Sequence, residues 1–106
     1  MAQAQGQPEA AAAVFPTRMV EISGSLPEEH MLKQPIMVLV DVDEGEVVVT
    51  EPRFFIHAAG PTEAAAIEAF KQRLVGYLHV LQRREGTLSS RLRAQLEYLR
   101  TVVRPA

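Results

Sequence analysis

The sequence predicts a single α+β domain: an antiparallel three- to four-stranded sheet with one long helix on its core face and a short C-terminal helix. Residues 36–51, IMVLVDVDEGEVVVTE, hold two runs of alternating apolar residues around Glu44-Gly45, which is typical of a tight hairpin. Residues 60–81 carry apolar side chains at helical spacing, which predicts an amphipathic helix. At 106 residues, the chain is long enough to build one core.

The chain divides into a predicted flexible tail, residues 1–16, and a predicted ordered domain, residues 17–106. The tail mixes Ala, Gln, Gly and Pro without a period, so it cannot bury enough apolar surface to offset the entropy of ordering. The domain begins with an alternation of polar and apolar residues around Val20 and Ile22, which predicts a half-buried strand. Residues 26–35, LPEEHMLKQP, predict a loop bounded by prolines.

A two-residue hairpin loop sets the register of the central strands. It places Val42 opposite Val47 and Val40 opposite Val49, so that valine and isoleucine fill one face of the sheet. The other face is apolar as well, and its side chains are Met37, Leu39, Val48 and Phe55, the last from a short strand after Pro52. A lone helix covers one face only, so either the second helix or another subunit must cover the other.

Both predicted helices have recognisable ends. Thr62 is a good N-cap for the long helix, and Glu63 follows where the helix dipole favours an anion. The apolar stripe that would cover the valine face consists of Ile67, Phe70, Leu74, Leu78 and Leu81. Gly86 predicts the end of this helix, and either Ser89 or Ser90 predicts the cap of the next one. The second helix carries Leu92, Leu96, Leu99 and Val103 in register.

Composition and motif content point away from several function classes. The chain has no cysteine, which excludes disulfides and thiolate chemistry and makes a reducing cytosol the default compartment. Neither a secretory leader pattern nor a membrane-spanning apolar stretch is present, so a cytoplasmic protein is expected. The three histidines have no metal-binding spacing, and the glycine motifs that cradle phosphates are missing. We therefore expect neither enzyme activity nor a cofactor.

Three carboxylates, Asp41, Asp43 and Glu46, cluster at the end of the predicted hairpin. Alternation along the strand points Asp41 and Asp43 in the same direction, and Glu46 should lie opposite Asp43. Oxygen ligands grouped in this way could hold Mg²⁺ or Ca²⁺ for a metal-dependent nuclease. The segment lacks the glycine-spaced loop of a calcium site. The favoured interpretation is therefore a solvated acidic surface that faces a basic protein or helix.

Charge is divided unevenly along the chain. Residues 1–70 hold three Lys or Arg and eleven Asp or Glu, whereas residues 71–106 hold eight and two, within a total net charge of −2. The basic half includes Arg83, Arg84, Arg91, Arg93, Arg100 and Arg104. These side chains could bind nucleic-acid phosphates. Cations near helix C-termini are also favourable in themselves and complement an acidic sheet, which is the simpler interpretation.

Residues 36–78 resemble the HicB-like antitoxin domain. The shared pattern is a strand, an acidic glycine-containing hairpin, a second strand that ends at proline, a short strand, and Gly-x-Thr before a helix that ends in Tyr-Leu. The matching positions are Asp43, Gly45, Pro52, Gly60, Thr62, Ala66, Glu68, Lys71, Leu74, Tyr77 and Leu78. The resemblance implies a partial RNase-H-like fold without catalysis, self-association, and neutralisation of a small basic RNA-cleaving toxin called HicA. The acidic pair usual after the threonine is Ala64-Ala65 here, and no DNA-binding appendage follows.

The leading interpretation is a non-enzymatic HicB-like interaction module that self-associates and sequesters a small basic partner. Its expected partner-binding residues are Asp41, Asp43, Glu46, Met37, Leu39, Val48, Phe55, Arg91, Arg93 and Arg100. The alternative is a small nucleic-acid-binding regulator that uses the arginine-rich C-terminal helices. We expect a dimer or higher homo-oligomer in which apolar contact dominates and survives high salt, because exposed ion pairs contribute only about 0–1 kcal/mol each.

Overall fold

The computed structural model describes residues 17–54 and 56–106 and confirms the α+β class. The predicted tail, residues 1–16, and the predicted contact residue Phe55 lie outside the described residues. The strands are β1 Arg18–Ile22, β2 Ser25–Leu26, β3 His30–Leu32, β4 Ile36–Asp43, β5 Glu46–Glu51, β6 Ile56–Gly60 and β7 Val103–Pro105. The helices are α1 Glu63–Arg83 and α2 Ser90–Val102, joined by a 3₁₀ turn at Glu85–Thr87.

The main sheet has four antiparallel strands in the order β1-β4-β5-β6. The predicted hairpin register is confirmed, because Val42 pairs with Val47 and Val40 pairs with Val49. Glu44 and Gly45 form the turn at φ angles of 51° and 82°. Two consecutive positive φ angles are those of a type I′ turn, whose twist matches the flanking strands. The alternation in β4 and β5 therefore defines one core face.

Helix α1 packs on that face through its contacts with β5 and β6. The predicted cap is confirmed, since the Thr62 hydroxyl accepts a hydrogen bond from the Ala65 amide at 3.1 Å. Of the predicted stripe, Ile67 is partly buried and the other side chains are buried: Phe70, Leu74, Leu78 and Leu81. The predicted end at Gly86 is wrong, because the helix ends at Arg83 and Gly86 lies in the 3₁₀ turn that follows.

Helix α2 joins the same core. Ser89 is its N-cap, and its hydroxyl accepts a hydrogen bond from the Leu92 amide at 3.3 Å. Leu96, Leu99 and Val102 have no exposed surface, and the helix packs on α1 and β7. The leucine stripe for which the sequence suggested no place therefore completes the core beside α1. It does not cover the reverse of the main sheet.

A second sheet of three short strands has the order β2-β3-β7. The loop prediction for residues 26–35 is wrong here, because β3 pairs with β2 on one side and with the C-terminal β7 on the other. Leu32 opposite Val103 is the buried pair of this sheet, at 5% exposure each. The pattern of residues 30–32 is too short to be read as a strand, and its partner lies about seventy positions away. In the described part of the chain, neither helix is long and apolar enough to cross a membrane.

Candidate functional site

The main sheet has an open face, by which we mean the side chains of its four strands that point away from α1. They are Met19, Glu21, Met37, Leu39, Asp41, Asp43, Glu46, Val48, Thr50, His57 and Ala59. Met19 is 63% exposed and Met37 is 43% exposed, and Leu39 and Val48 beside them are half-buried. Because α1 covers the opposite face and α2 packs on α1 and β7, no helix of the described chain covers this one.

The charged side chains on the described part of the open face are all acidic. Glu21, Asp41, Asp43 and Glu46 are its acidic residues, and the register of the four strands places no Lys or Arg among the described residues of this face. Asp43 lies directly opposite Glu46, as the sequence predicts. Asp41 accepts a hydrogen bond from the Thr17 hydroxyl. The face therefore combines an apolar centre with a negative end at the hairpin.

These carboxylates do not form a metal centre in the structure. Across residues 17–54 and 56–106, no three His, Asp or Glu side chains converge in a group that could hold a metal ion. The strand register explains this for Asp41, whose direct cross-strand partner is Val48 and not a third carboxylate. The geometry thus gives the metal-dependent nuclease interpretation no support.

A groove lies at the other end of the sheet, where the β5–β6 loop meets both helices. Two cavities form it. The first has a volume of about 330 Å³ and is lined by Phe54, Ile56, His57, Arg73 and Tyr77. A second cavity of about 350 Å³ is lined by Arg53, Phe54, Arg91, Ala94, Gln95 and Tyr98. Phe54 belongs to both cavities and is itself buried. We call this surface the arginine groove, because Arg53, Arg73 and Arg91 are its exposed charged residues.

A buried carboxylate holds the loop that forms the groove. Glu51 is 2% exposed, and its two oxygens accept hydrogen bonds from the Phe54 amide at 3.0 Å and from Arg53 Nε at 3.2 Å. The Arg53 guanidinium lies 4.3 Å from the centre of the Tyr98 ring and also donates to its hydroxyl at 2.6 Å. Burial lowers the pKa of Arg53, but hydrogen bonds to Glu51 and Tyr98 outweigh it and raise the pKa overall. The guanidinium therefore stays charged and fixed in direction.

The helical wall of the groove is also fixed by side-chain contacts. Tyr77 of α1 donates a hydrogen bond from its hydroxyl to the Gln95 side chain of α2. Burial raises the pKa of Tyr77, and the positive charge of Arg91 opposes that shift. Tyr77 is therefore a neutral phenol at physiological pH.

Of the predicted arginines, only Arg91 lines the groove. Arg93 Nη2 donates to the Leu88 carbonyl at 3.2 Å, and Arg100 forms a two-pronged ion pair with Glu85 at 2.6 and 2.9 Å. Arg100 also lies 3.5 Å from Glu97. The hydrogen bonds to Arg100 lower the pKa of Glu85. Arg93 is thus held to a backbone carbonyl of the helical half, and the charge of Arg100 is matched in part by Glu85 and Glu97.

Sequence reasoning missed Arg53, Arg73 and the tyrosines of the groove, because they come from three separate elements. The one local signal was Glu51 immediately before Pro52, Arg53 and two phenylalanines. This order favours a turn that is fixed by the acidic side chain over a continuous strand. The predicted partner-binding residues Met37, Leu39 and Val48 do lie together on the open face. Comparison of the chain with protein-family models, with curated proteins and with solved structures finds no match.

Proposed function

We propose that the protein is a non-enzymatic, HicB-like interaction module of the cytoplasm that associates with itself and sequesters a small basic partner protein. The observation that carries the proposal is the open face, with its exposed Met19 and Met37 and its one-signed charge. A contiguous apolar surface with a charged border is typical of a protein-binding site.

The charge of the open face selects the kind of partner. Carboxylates at both its edge and its hairpin end attract a basic surface and repel an acidic one, which directs the encounter and the choice of partner. The exposed methionines suit the centre of such a contact, since the flexible thioether side chain adapts to different apolar surfaces. We therefore assign the open face to a partner that presents an apolar patch within a positive surround.

A second copy of the chain fits this face less well. Two sheets stacked face to face would bring carboxylates of one copy toward carboxylates of the other. Like charges that are brought together and desolvated cost several kcal/mol by rough estimate. A basic partner turns the same carboxylates into a source of attraction, so self-association is better served by another surface of the molecule.

Nucleic-acid binding has less support from the geometry. Phosphate binding needs cations that are available at the surface. Of the six arginines that the sequence suggested, Arg100 already pairs with Glu85 and Arg93 donates to the Leu88 carbonyl. A short oligonucleotide titration at two salt concentrations would reveal the steep salt dependence that this alternative requires.

Site-specific cross-linking tests the proposed function in the cell. A photoreactive amino acid replaces Met37 on the open face, or Val80 on helix α1 as a control of matched exposure at 43% and 40%. We expect the residue at position 37 to cross-link one small basic protein, which mass spectrometry identifies. The residue at position 80 should form no cross-link to that protein. The adjacent gene is the first place to look for that protein.

The purified pair then provides the decisive measurement. Met37→Arg puts a charge of the partner's own sign into the apolar centre, and we expect it to weaken the complex at least tenfold in calorimetry, whereas Val80→Arg leaves affinity unchanged. Cross-linking with equal yield at both positions, or a captured partner with an acidic binding surface, would contradict the proposal.

A further inference from the structure

We infer that the arginine groove receives the acidic hairpin tip of a second copy of this chain, so that two copies form a reciprocal dimer. The acidic tip comprises Asp43, Glu44 and Glu46 at the turn between β4 and β5. The inference rests on the self-association within the proposed function; it uses Asp43 and Glu46 at the hairpin end of the open face and leaves the apolar centre of that face to the basic partner.

The groove offers what an acidic peptide segment needs. Arg73 is exposed in one cavity and Arg53 and Arg91 in the other, and Phe54, which lines both, supplies an apolar wall. Arginine is the side chain best suited to carboxylates, because its planar fork donates two parallel hydrogen bonds. Arg53 is held by Glu51 and Tyr98 and shapes the loop, so the charge offered to a carboxylate comes mainly from Arg73 and Arg91.

The acidic tip has the complementary features. Its three carboxylates are exposed, and Val42 beside them is 43% exposed although it belongs to the core-facing row of β4. An exposed valine next to carboxylates matches an apolar wall next to guanidinium groups. The tip is also rigid, since a type I′ turn closes the hairpin with the strands in register on both sides.

Topology prevents the tip from reaching the groove of its own chain. The tip precedes β5, the groove loop follows it, and the six residues of β5 separate them. At about 3.3 Å per residue, that distance is roughly 20 Å. When two copies pair about a two-fold axis with their sheets running in opposite directions, each tip meets the other copy's groove. The same contact is then made twice, which is the usual way a small dimer closes.

The contact has a defined salt dependence. Exposed ion pairs contribute about 0–1 kcal/mol each and are screened within about 8 Å at physiological ionic strength. A dimer held by them dissociates more readily as salt rises, whereas a dimer through an apolar sheet face keeps its mass. The salt response therefore separates the groove contact from the apolar contact that the sequence favours.

Charge reversal tests the inference. The groove variant is Arg73→Glu with Arg91→Glu, and Arg53 is left intact because it also supports the loop. The tip variant is Asp43→Lys with Glu44→Lys. We expect light scattering after size exclusion, at micromolar concentration and low salt, to give twice 11.7 kDa for the wild type and 11.7 kDa for each variant alone.

Mixing the two variants is the sharpest part of the test. In the mixed pair, the reversed groove meets the reversed tip and the native groove meets the native tip, so both contacts return and the dimer mass is recovered. Arg83→Glu with Arg84→Glu changes the charge equally at exposed positions outside the groove, and this control stays dimeric. Recovery on mixing also shows that both variants are folded.

Four outcomes would overturn the inference: a monomeric wild type, variants that remain dimeric alone, a mixture that remains monomeric, or a dimer whose mass is indifferent to salt. Binding of a single-stranded oligonucleotide by the groove of a monomeric wild type would identify a different occupant. Cross-linking from position 37 to the basic partner is expected to persist in the groove variant. A failure there concerns the proposed function, and a failure of the mixing experiment concerns the dimer.

Discussion

At the scale of single residues, the buried Glu51 fixes the loop that shapes the arginine groove. Among residues 17–54 and 56–106 it is the one buried charged residue, and both of its oxygens accept hydrogen bonds from groups within three residues along the chain. A charge in this position is tolerated because a backbone amide and a guanidinium take the place of water. The same contacts hold Arg53 over Tyr98, so the order of the groove depends on a carboxylate that is itself buried.

Replacement of Glu51 by alanine should therefore destabilise the protein by about 1–3 kcal/mol, because the buried Phe54 amide loses its acceptor. Glu51→Gln keeps an acceptor oxygen for that amide and should cost less. Urea unfolding followed by circular dichroism measures both changes. If the alanine variant were as stable as the wild type, the hydrogen bonds of Glu51 would contribute nothing to the free energy of unfolding.

At the scale of the secondary-structure elements, two glycines of the β6–α1 unit respond in opposite ways to the same change. A Cβ at Gly60 would lie 2.8 Å from the Ala66 amide nitrogen and 3.0 Å from the Ala65 carbonyl carbon. These are backbone atoms of the first helical turn, so they cannot move aside without moving the helix. Gly76 is exposed in the middle of α1, and a Cβ there meets nothing within 4 Å.

We expect Gly60→Ala to destabilise the protein by about 1–3 kcal/mol through steric strain. Gly76→Ala should stabilise it by about 0.5–1 kcal/mol, because alanine loses less backbone entropy in a helix than glycine does. Thermal unfolding of the two variants in one buffer gives the comparison. Shifts of the same sign in both would show that the helix does not start against β6 as described.

The elements that could be predicted from the sequence are those whose signals are local. The Glu44-Gly45 turn, the alternation around it and the Thr62 cap lie within a few residues of what they specify, and each is confirmed. Strand β3 has three residues and gains its structure from a partner at the far end of the chain, so no local pattern revealed it.

The two candidate surfaces differ in the same respect: one follows from a local sequence pattern, and the other does not. The open face follows from alternation along β4 and β5, and the sequence therefore placed Met37, Leu39 and Val48 together correctly. The arginine groove needs the β5–β6 loop and both helices in their packed positions. Its residues are scattered from position 53 to position 98, so only the fold brings them together.

At the scale of the whole molecule, the acidic and the basic surfaces lie toward opposite ends of the main sheet. Acidic residues gather on the open face and at the hairpin tip, whereas the groove at the opposite end of the sheet presents arginines. A net charge of only −2 conceals this separation. The two ends lie at opposite ends of β5, so the acidic tip does not reach the arginines of its own groove.

The C-terminal strand β7 forms one edge of the second sheet, and its removal gives the last prediction. A chain that stops after Val102 loses the burial of Val103, the pairing with β3 and the hydrogen bond from the Ala106 amide to the Glu29 carbonyl at 2.7 Å. Burial of one valine contributes roughly 1.5–3 kcal/mol, so we expect a loss of about 2–4 kcal/mol in the free energy of unfolding.

Amide hydrogen exchange should locate that loss. Exchange in β3 is expected to accelerate most, because β3 pairs with β7 directly, while β4 and β5 keep their own partners and change only with global stability. Arg104→Ala in the full-length chain is the matched control, since it removes an exposed charge and keeps the strand. Unchanged exchange in β3 after truncation would mean that β7 contributes no pairing. Acceleration confined to β3 would show that the second sheet opens without disturbing the sheet that carries the open face.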